Sequence, residues 1–194
     1  MRIYIIRHGQ TTGDIEKRFG GDYDDPLTFL GKSQAEKLAK KLSDKGIKII
    51  YHSTKIRASR TAEILNNFLR ARLQTATDLR ERNNYGILTG LTIEEAKKKF
   101  PAEVEKLNKD KVNHGILGSE DYSVFKKRVI NSFISCIKKE KVSAITIVTH
   151  SGPISVLHSE FFKFGKLSEV KDCGILEIDY SDDIFKLINK EGMN

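Results

Sequence analysis

Short apolar runs alternate with stretches of helical periodicity along most of this chain, and that alternation limits its fold more than any other feature. Runs of strand length occupy residues 3–6, 47–51, 145–148, 176–180 and 184–188. Between them the spacing predicts helices over 31–44, with Ala35, Leu38, Ala39 and Leu42 on one face, and over 57–69, with Ala58, Ala62, Leu65 and Phe68. Others are expected over 122–139, with Phe125, Val129, Phe133, Ile134 and Ile137 on one face, and over 153–162. Strands buried on both faces read as continuous apolar runs, and helices supply the crossovers between parallel neighbours. The expected architecture is therefore a three-layer α/β/α sandwich with a mostly parallel central sheet. The last two runs, joined by Ser181-Asp182-Asp183, read as a hairpin that adds an antiparallel edge.

At 194 residues the chain fits one domain spanning 1–194. Residues 92–118 stand apart: a helix pattern at 93–100, then Pro101, then a lysine-rich stretch ending in Asn113-His114-Gly115. They are expected to form a small cap insertion, the kind of segment that sets substrate choice. A composition of 39% hydrophobic and 31% charged residues is globular, and the apolar runs fall far short of the roughly 20 residues of a membrane span. The first residues lack the basic, apolar and cleavage regions of a secretory leader, so the expected location is the cytoplasm. Cys136 and Cys173 have no metal-ligand spacing around them and are expected to be buried thiols.

The net charge of +8 is compatible with nucleic acid, an acidic surface or a phosphorylated small molecule. The lysines are dispersed on helical faces, as in Glu95-Ala96-Lys97-Lys98-Lys99, and no aromatic residues interleave with them to stack bases. A small phosphorylated substrate is the expected partner; neither nucleic acid nor membrane is.

Two of the strand-like runs end in histidine. Ile3-Tyr4-Ile5-Ile6 leads into Arg7-His8-Gly9-Gln10-Thr11, and Ile145-Thr146-Ile147-Val148 into Thr149-His150-Ser151-Gly152. Ligands of open α/β sheets sit beyond the carboxyl ends of strands, so these two histidines can converge on one bound group. A neutral imidazole attacks phosphorus, and a phosphohistidine intermediate divides one hard displacement into two easier ones. In that chemistry His8 is the nucleophile, while Arg7 and Arg57 offer bidentate forks for the phosphoryl oxygens and His150 stabilises the same oxygens. Arg57 taken alone is equally a surface ion-pair partner for Glu63 or Glu81. A leaving alkoxide needs a proton, and Glu81 in Leu79-Arg80-Glu81-Arg82 is the candidate donor. Gly20 and Gly21 are candidates to present backbone N–H groups to phosphate, or form a plain turn. No metal is required, and no Asp, His or Cys cluster suggests one.

These residues resemble the histidine phosphatase superfamily, which includes phosphatases and cofactor-dependent phosphoglycerate mutases. Arg7-His8-Gly9 is similar to its signature. Arg18-Phe19-Gly20-Gly21, Asp25-Pro26-Leu27-Thr28, Ser53 with Arg57-Ala58, Leu79 with Glu81, Gly118-Ser119-Glu120 and Val148-Thr149-His150-Ser151-Gly152 follow in the expected order. The resemblance implies that His8 is the phosphorylated residue, Arg57 the second phosphate-binding arginine and Glu81 the proton donor. Three positions depart from it. Asp14 stands where many relatives carry a phosphate-contacting asparagine, and its carboxylate needs a partner, for which Arg18 is the candidate. Gln10 replaces a common glutamate, and the loop from Glu81 to Tyr85-Gly86 is one residue longer than usual.

The resemblance implies phosphoryl transfer to water or to a second substrate hydroxyl. Mutases of this family carry adjacent arginines in a longer insertion, whereas residues 83–127 here contain no arginine. Lysines 97–99, Lys109 and Lys111 are point charges without the bidentate geometry. The expectation is a metal-independent phosphatase with no cofactor. The alternatives are a compact phosphoglycerate mutase primed by 2,3-bisphosphoglycerate, and a non-catalytic phospho-ligand-binding regulatory protein. A homodimer through exposed strand edges stays open.

Overall fold

The computed structural model describes residues 1–109 and 115–194. Its centre is one six-stranded sheet in the order β3-β2-β4-β1-β5-β6. Strands β1 (Arg2–Arg7), β2 (Ile49–His52), β3 (Arg72–Thr75) and β4 (Ala144–Thr149) run parallel. Strands β5 (Val170–Ser181) and β6 (Ile184–Met193) form the antiparallel hairpin, with β5 against β1. The mixed α/β class and the antiparallel edge are as the sequence predicts.

Period-two alternation divides the core between the sheet's faces. Ile3 and Ile5 of β1 join a cluster with Phe125, Val129, Phe133 and Ile154, while Tyr4 and Ile6 join one with Leu38, Ala58, Ala62 and Leu65. The first face carries α6 (Tyr122–Lys138) and α7 (Ser151–Val156); the second carries α2 (Phe29–Leu42) and α3 (Ile56–Leu69). The chain thus builds three layers. Thr28 caps α2 by accepting from the Gly31 N–H at 2.9 Å, so this helix begins two residues before the predicted 31. The helix expected over 153–162 begins at Ser151 and passes into a π-helical turn, Leu157–Phe161.

Three elements differ from expectation. Strand β3 has no apolar run; it is a four-residue edge strand with exposed ends. A short helix, α1 (Thr12–Ile15), follows the first histidine turn. Beyond α4 (Ile93–Lys99), Pro101 starts α5 (Pro101–Lys109) instead of ending helical structure, because a proline in the first turn forfeits no helical hydrogen bond. Helices α4 and α5 bury Ala96 and Val104 against Leu88 and Ile116. Lys111, Asn113 and His114 lie outside the described residues. Both thiols are free; Cys136 is buried and Cys173 half-buried, and burial pushes each up to about 12. Among the described residues no helix is long and apolar enough to cross a membrane.

Candidate active site

Strands β1 and β4 are parallel neighbours in register, Arg7 opposite Thr149, so the residues that follow them emerge together. The His8 N–H donates to the Thr149 carbonyl at 3.0 Å, and the rings of His8 and His150 lie 5.1 Å apart between centroids. Sheet register therefore delivers the two histidines, over a hundred positions apart, to one place.

Each imidazole has a defined setting. Nδ1 of His8 lies 2.8 Å from the Gly9 carbonyl, which can only accept; Nδ1 therefore carries the proton and Nε2 keeps its lone pair. Arg57 Nε donates to that lone pair at 3.1 Å. Burial, with Arg57 and then Arg7 nearby, holds His8 well below the usual imidazole value, so it stays neutral. His150 is fully buried, and its Nε2 meets the Ser53 hydroxyl at 2.8 Å, while its Nδ1 has no hydrogen-bond partner. Burial, Arg57 and His8 also hold His150 well below the usual value.

Arg57 is a buried clamp and not a surface ion pair, which corrects the alternative of Glu63 or Glu81 as its partner. Its guanidinium donates to Asp25 Oδ1 at 2.9 Å, the Tyr23 carbonyl at 2.6 Å and the Gly21 carbonyl at 3.0 Å. Glu63 pairs instead with Arg60. Arg7 donates to the Val170 carbonyl at 2.6 Å and pairs with Asp172 at 3.2 Å. Asp14 also departs from expectation: Arg7, at 3.7 Å, is its cationic neighbour, whereas Arg18 pairs with Glu16 and Glu95. Its other oxygen accepts from the Thr11 N–H and hydroxyl, both at 2.9 Å, closing a capping box on α1.

Glu81 reaches the same crevice from a segment without regular structure. Its Oε2 accepts from the Gly152 N–H at 3.0 Å and the Ser151 hydroxyl at 3.2 Å, and its Oε1 from the Arg82 N–H at 2.9 Å. A methyl group on Gly152 would stand 2.1 Å from Oε1, so only glycine admits the carboxylate here.

Arg7, His8, Arg57, Glu81, Gly20 and Gly21 all line one cavity of about 560 Å³, within the usual range for a small-molecule site. His150 does not line it; its full burial places it in contact with His8 and Ser53, out of reach of solvent. At Gly20 and Gly21 the structure shows carbonyls at work, the first accepting from Tyr23 N–H and the second from Arg57. The outer wall is built by Arg82, Tyr85, Tyr122 and Phe125, whereas no described residue of 92–118 borders the cavity. Residue-by-residue reading missed Asp25 as the clamp's counter-ion and Arg82 as a wall residue. No local pattern marked either one; Asp25 meets Arg57 across 32 positions of the chain.

A profile of the histidine phosphatase superfamily (branch 1) matches residues 3–190. The chain is 27% identical over 186 residues to a Salmonella paratyphi A protein named probable phosphoglycerate mutase GpmB, covering 94% of this chain and 86% of that one. Its structure is similar to Bacillus stearothermophilus YhfR, with a TM-score of 0.86 at 26% identity over 98% of this chain and 96% of the other. It shares its fold with a mycobacterial glucosyl-3-phosphoglycerate phosphatase whose structure holds VO3, at a TM-score of 0.80, 22% identity and 97% coverage of each chain. Matched over almost its whole length, the chain belongs to the histidine phosphatase superfamily, whose members are phosphatases or mutases.

Proposed function

We propose that the protein is a metal-independent phosphatase acting on a small phosphate monoester through a phosphohistidine at His8. The observation that carries this reading is the His8 imidazole: neutral, with its proton held on Nδ1 by Gly9 and its Nε2 lone pair at a cavity that Arg57 and Glu81 also line. Nε2 attacks phosphorus as the ester P–O bond breaks, and protonated Glu81 delivers its proton to the departing oxygen. Water then attacks the phosphorus as the Nε2–P bond breaks, the Glu81 carboxylate takes a proton from that water, and inorganic phosphate leaves a free His8. Arg7 and Arg57 stabilise the phosphoryl oxygens, which requires Arg57 Nε to give up its bond to His8 as substrate enters. His150, in contact with the Ser53 hydroxyl through Nε2, packs against His8 and does not reach the cavity, so the phosphoryl oxygens are left to Arg7 and Arg57.

Hydrolysis is favoured over mutase chemistry by the lack of arginine between residues 83 and 127, since a mutase must hold its bisphosphate intermediate while it reorients. The similarity to GpmB keeps phosphoglycerate mutase as the second reading. Incubation with 3-phosphoglycerate and a trace of 2,3-bisphosphoglycerate, followed by ³¹P NMR, separates the two. Inorganic phosphate without 2-phosphoglycerate is the result expected. Growth of 2-phosphoglycerate without free phosphate makes the protein a mutase, and an inert sample leads to a panel of other monoesters.

A further inference from the structure

The segment that carries Glu81 runs from Asp78 to Asn83 and, past the 3-10 turn Thr77–Leu79, belongs to no helix or strand. Its backbone is held by side chains from elsewhere. Arg128, in the second turn of α6 and with 9% of its side chain exposed, uses all five of its N–H donors here. They reach the carbonyls of Asp78 at 2.7 Å, Arg80 at 2.8 Å and Glu81 at 3.0 Å, and the two Glu120 oxygens at 2.6 and 2.8 Å. Glu120 in turn brackets Asn83, donating its own N–H to the Asn83 carbonyl at 2.7 Å and accepting the Asn83 N–H at 3.3 Å. Of the other two carbonyls, Leu79 accepts from the Thr149 hydroxyl at 2.6 Å and Arg82 from the Asn84 N–H at 2.8 Å.

We infer that Arg128, locked by Glu120, is a positioning residue that aims the Glu81 carboxyl at the departing oxygen of the substrate. The inference rests on Glu81 being the proton donor. Arg128 touches the backbone carbonyl of Glu81 and not its carboxylate, so it acts on the chemistry only through where Glu81 stands. A displacement of an ångström is enough to impair a proton transfer that needs hydrogen-bond contact. Lysine, with three donors on one nitrogen, cannot replace a planar fork that spans a carboxylate and three carbonyls.

The test exploits leaving groups. 4-Nitrophenolate departs without a proton, phenolate benefits from one, and an alkoxide requires one, so a displaced acid has a signature that lost stability lacks. Values of kcat/KM, which report steps up to phosphorylation of His8, are measured for 4-nitrophenyl, phenyl and glycerol phosphates. For Glu81→Gln we expect a loss of about 10²- to 10⁴-fold on glycerol phosphate and only a few-fold on 4-nitrophenyl phosphate. Arg128→Lys shows the same ordering, with about 10- to 100-fold lost on glycerol phosphate. In the Glu81→Gln background it costs almost nothing more, because the group it positions is already gone. Should Arg128→Lys fail to fold, Glu120→Gln, which keeps the shape but loosens the fork, shows the ordering in weaker form. A uniform loss on all three esters in Glu81→Gln removes the acid and the positioning role together. A selective Glu81→Gln beside uniform losses in Arg128→Lys and Glu120→Gln overturns the positioning role alone.

Discussion

The floor of the site and its acid wall are built by different means. His8 and His150 are placed by backbone pairing between two buried parallel strands, and Arg57 by a helix that follows a third. Glu81 is placed largely by side chains: Arg128 on its own carbonyl, Thr149 and Glu120 on the backbone of Leu79 and Asn83 to either side, and Ser151, together with the N–H of Gly152, on its carboxylate. Sheet register tolerates side-chain changes at neighbouring positions, since the ladder is made of main chain. A loop held by side chains fails whenever one of them is lost, so mutations far from the reacting atoms should tell the two regions apart.

The floor breaks most completely through its proposed nucleophile. His8→Ala is expected to abolish the ³²P-labelled phosphoenzyme and lower kcat/KM by at least about a thousandfold. A labelled protein that survives this substitution removes His8 from its role. Arg57→Ala comes next, with about 10²- to 10³-fold lost through a missing hydrogen-bond donor to the phosphoryl oxygens. It also lowers the melting temperature, because Asp25 is left buried without its cation. Arg60→Ala, one helical turn on and paired at the surface with Glu63, changes either quantity little. Equal losses in two folded variants contradict the clamp.

The wall breaks through Gly152. Gly152→Ala thrusts a methyl group to 2.1 Å from Glu81 Oε1 and evicts the carboxylate from the start of α7. We expect about 10- to 100-fold lower kcat/KM on alkyl phosphates and a small loss on 4-nitrophenyl phosphate, with the fold retained by circular dichroism. The same loss on both esters means that the floor has moved as well.

The two regions also differed in how far the sequence exposed them. His8, His150 and Arg57 were legible because strand ends project into a common crevice, and an apolar run marks a strand end well. Strand β3 was hidden because Arg72-Leu73-Gln74-Thr75 lies at the sheet's edge, with too little buried surface to leave a pattern. Helix α5 was hidden because Pro101 reads as a break unless its place in the first turn is known. The partners of Arg57, Asp14 and Arg128 were beyond reach for another reason. They are contacts across tens of residues, apart from Glu120 beside Arg128 and Thr11 and Arg7 beside Asp14, and an arginine on a helix face looks the same in sequence whether it is solvated or spans five acceptors.

The smallest effect concerns the floor alone and is read from pH. His8 and His150 are both held well below the usual imidazole value of about 6.5, chiefly by burial, so the folded state binds fewer protons than the unfolded chain once pH falls under that value. The sign is fixed: their neutral burial leaves stability intact above about pH 6.5 and erodes it as pH falls from there toward the folded values. While both are neutral in the fold and charged outside it, the loss approaches about 2.7 kcal/mol per pH unit, half from each. Asp172, whose carboxyl burial raises, works in the opposite sense at lower pH, where it takes a proton more readily folded than unfolded. Melting temperature followed between pH 8 and 5 should therefore decline below neutrality, and His8→Gln, which keeps a polar side chain of similar reach without a titrating ring, should halve the steepness near pH 6. An unchanged slope in that variant means that His8 titrates normally in the fold, and its neutrality as a nucleophile then loses its physical basis.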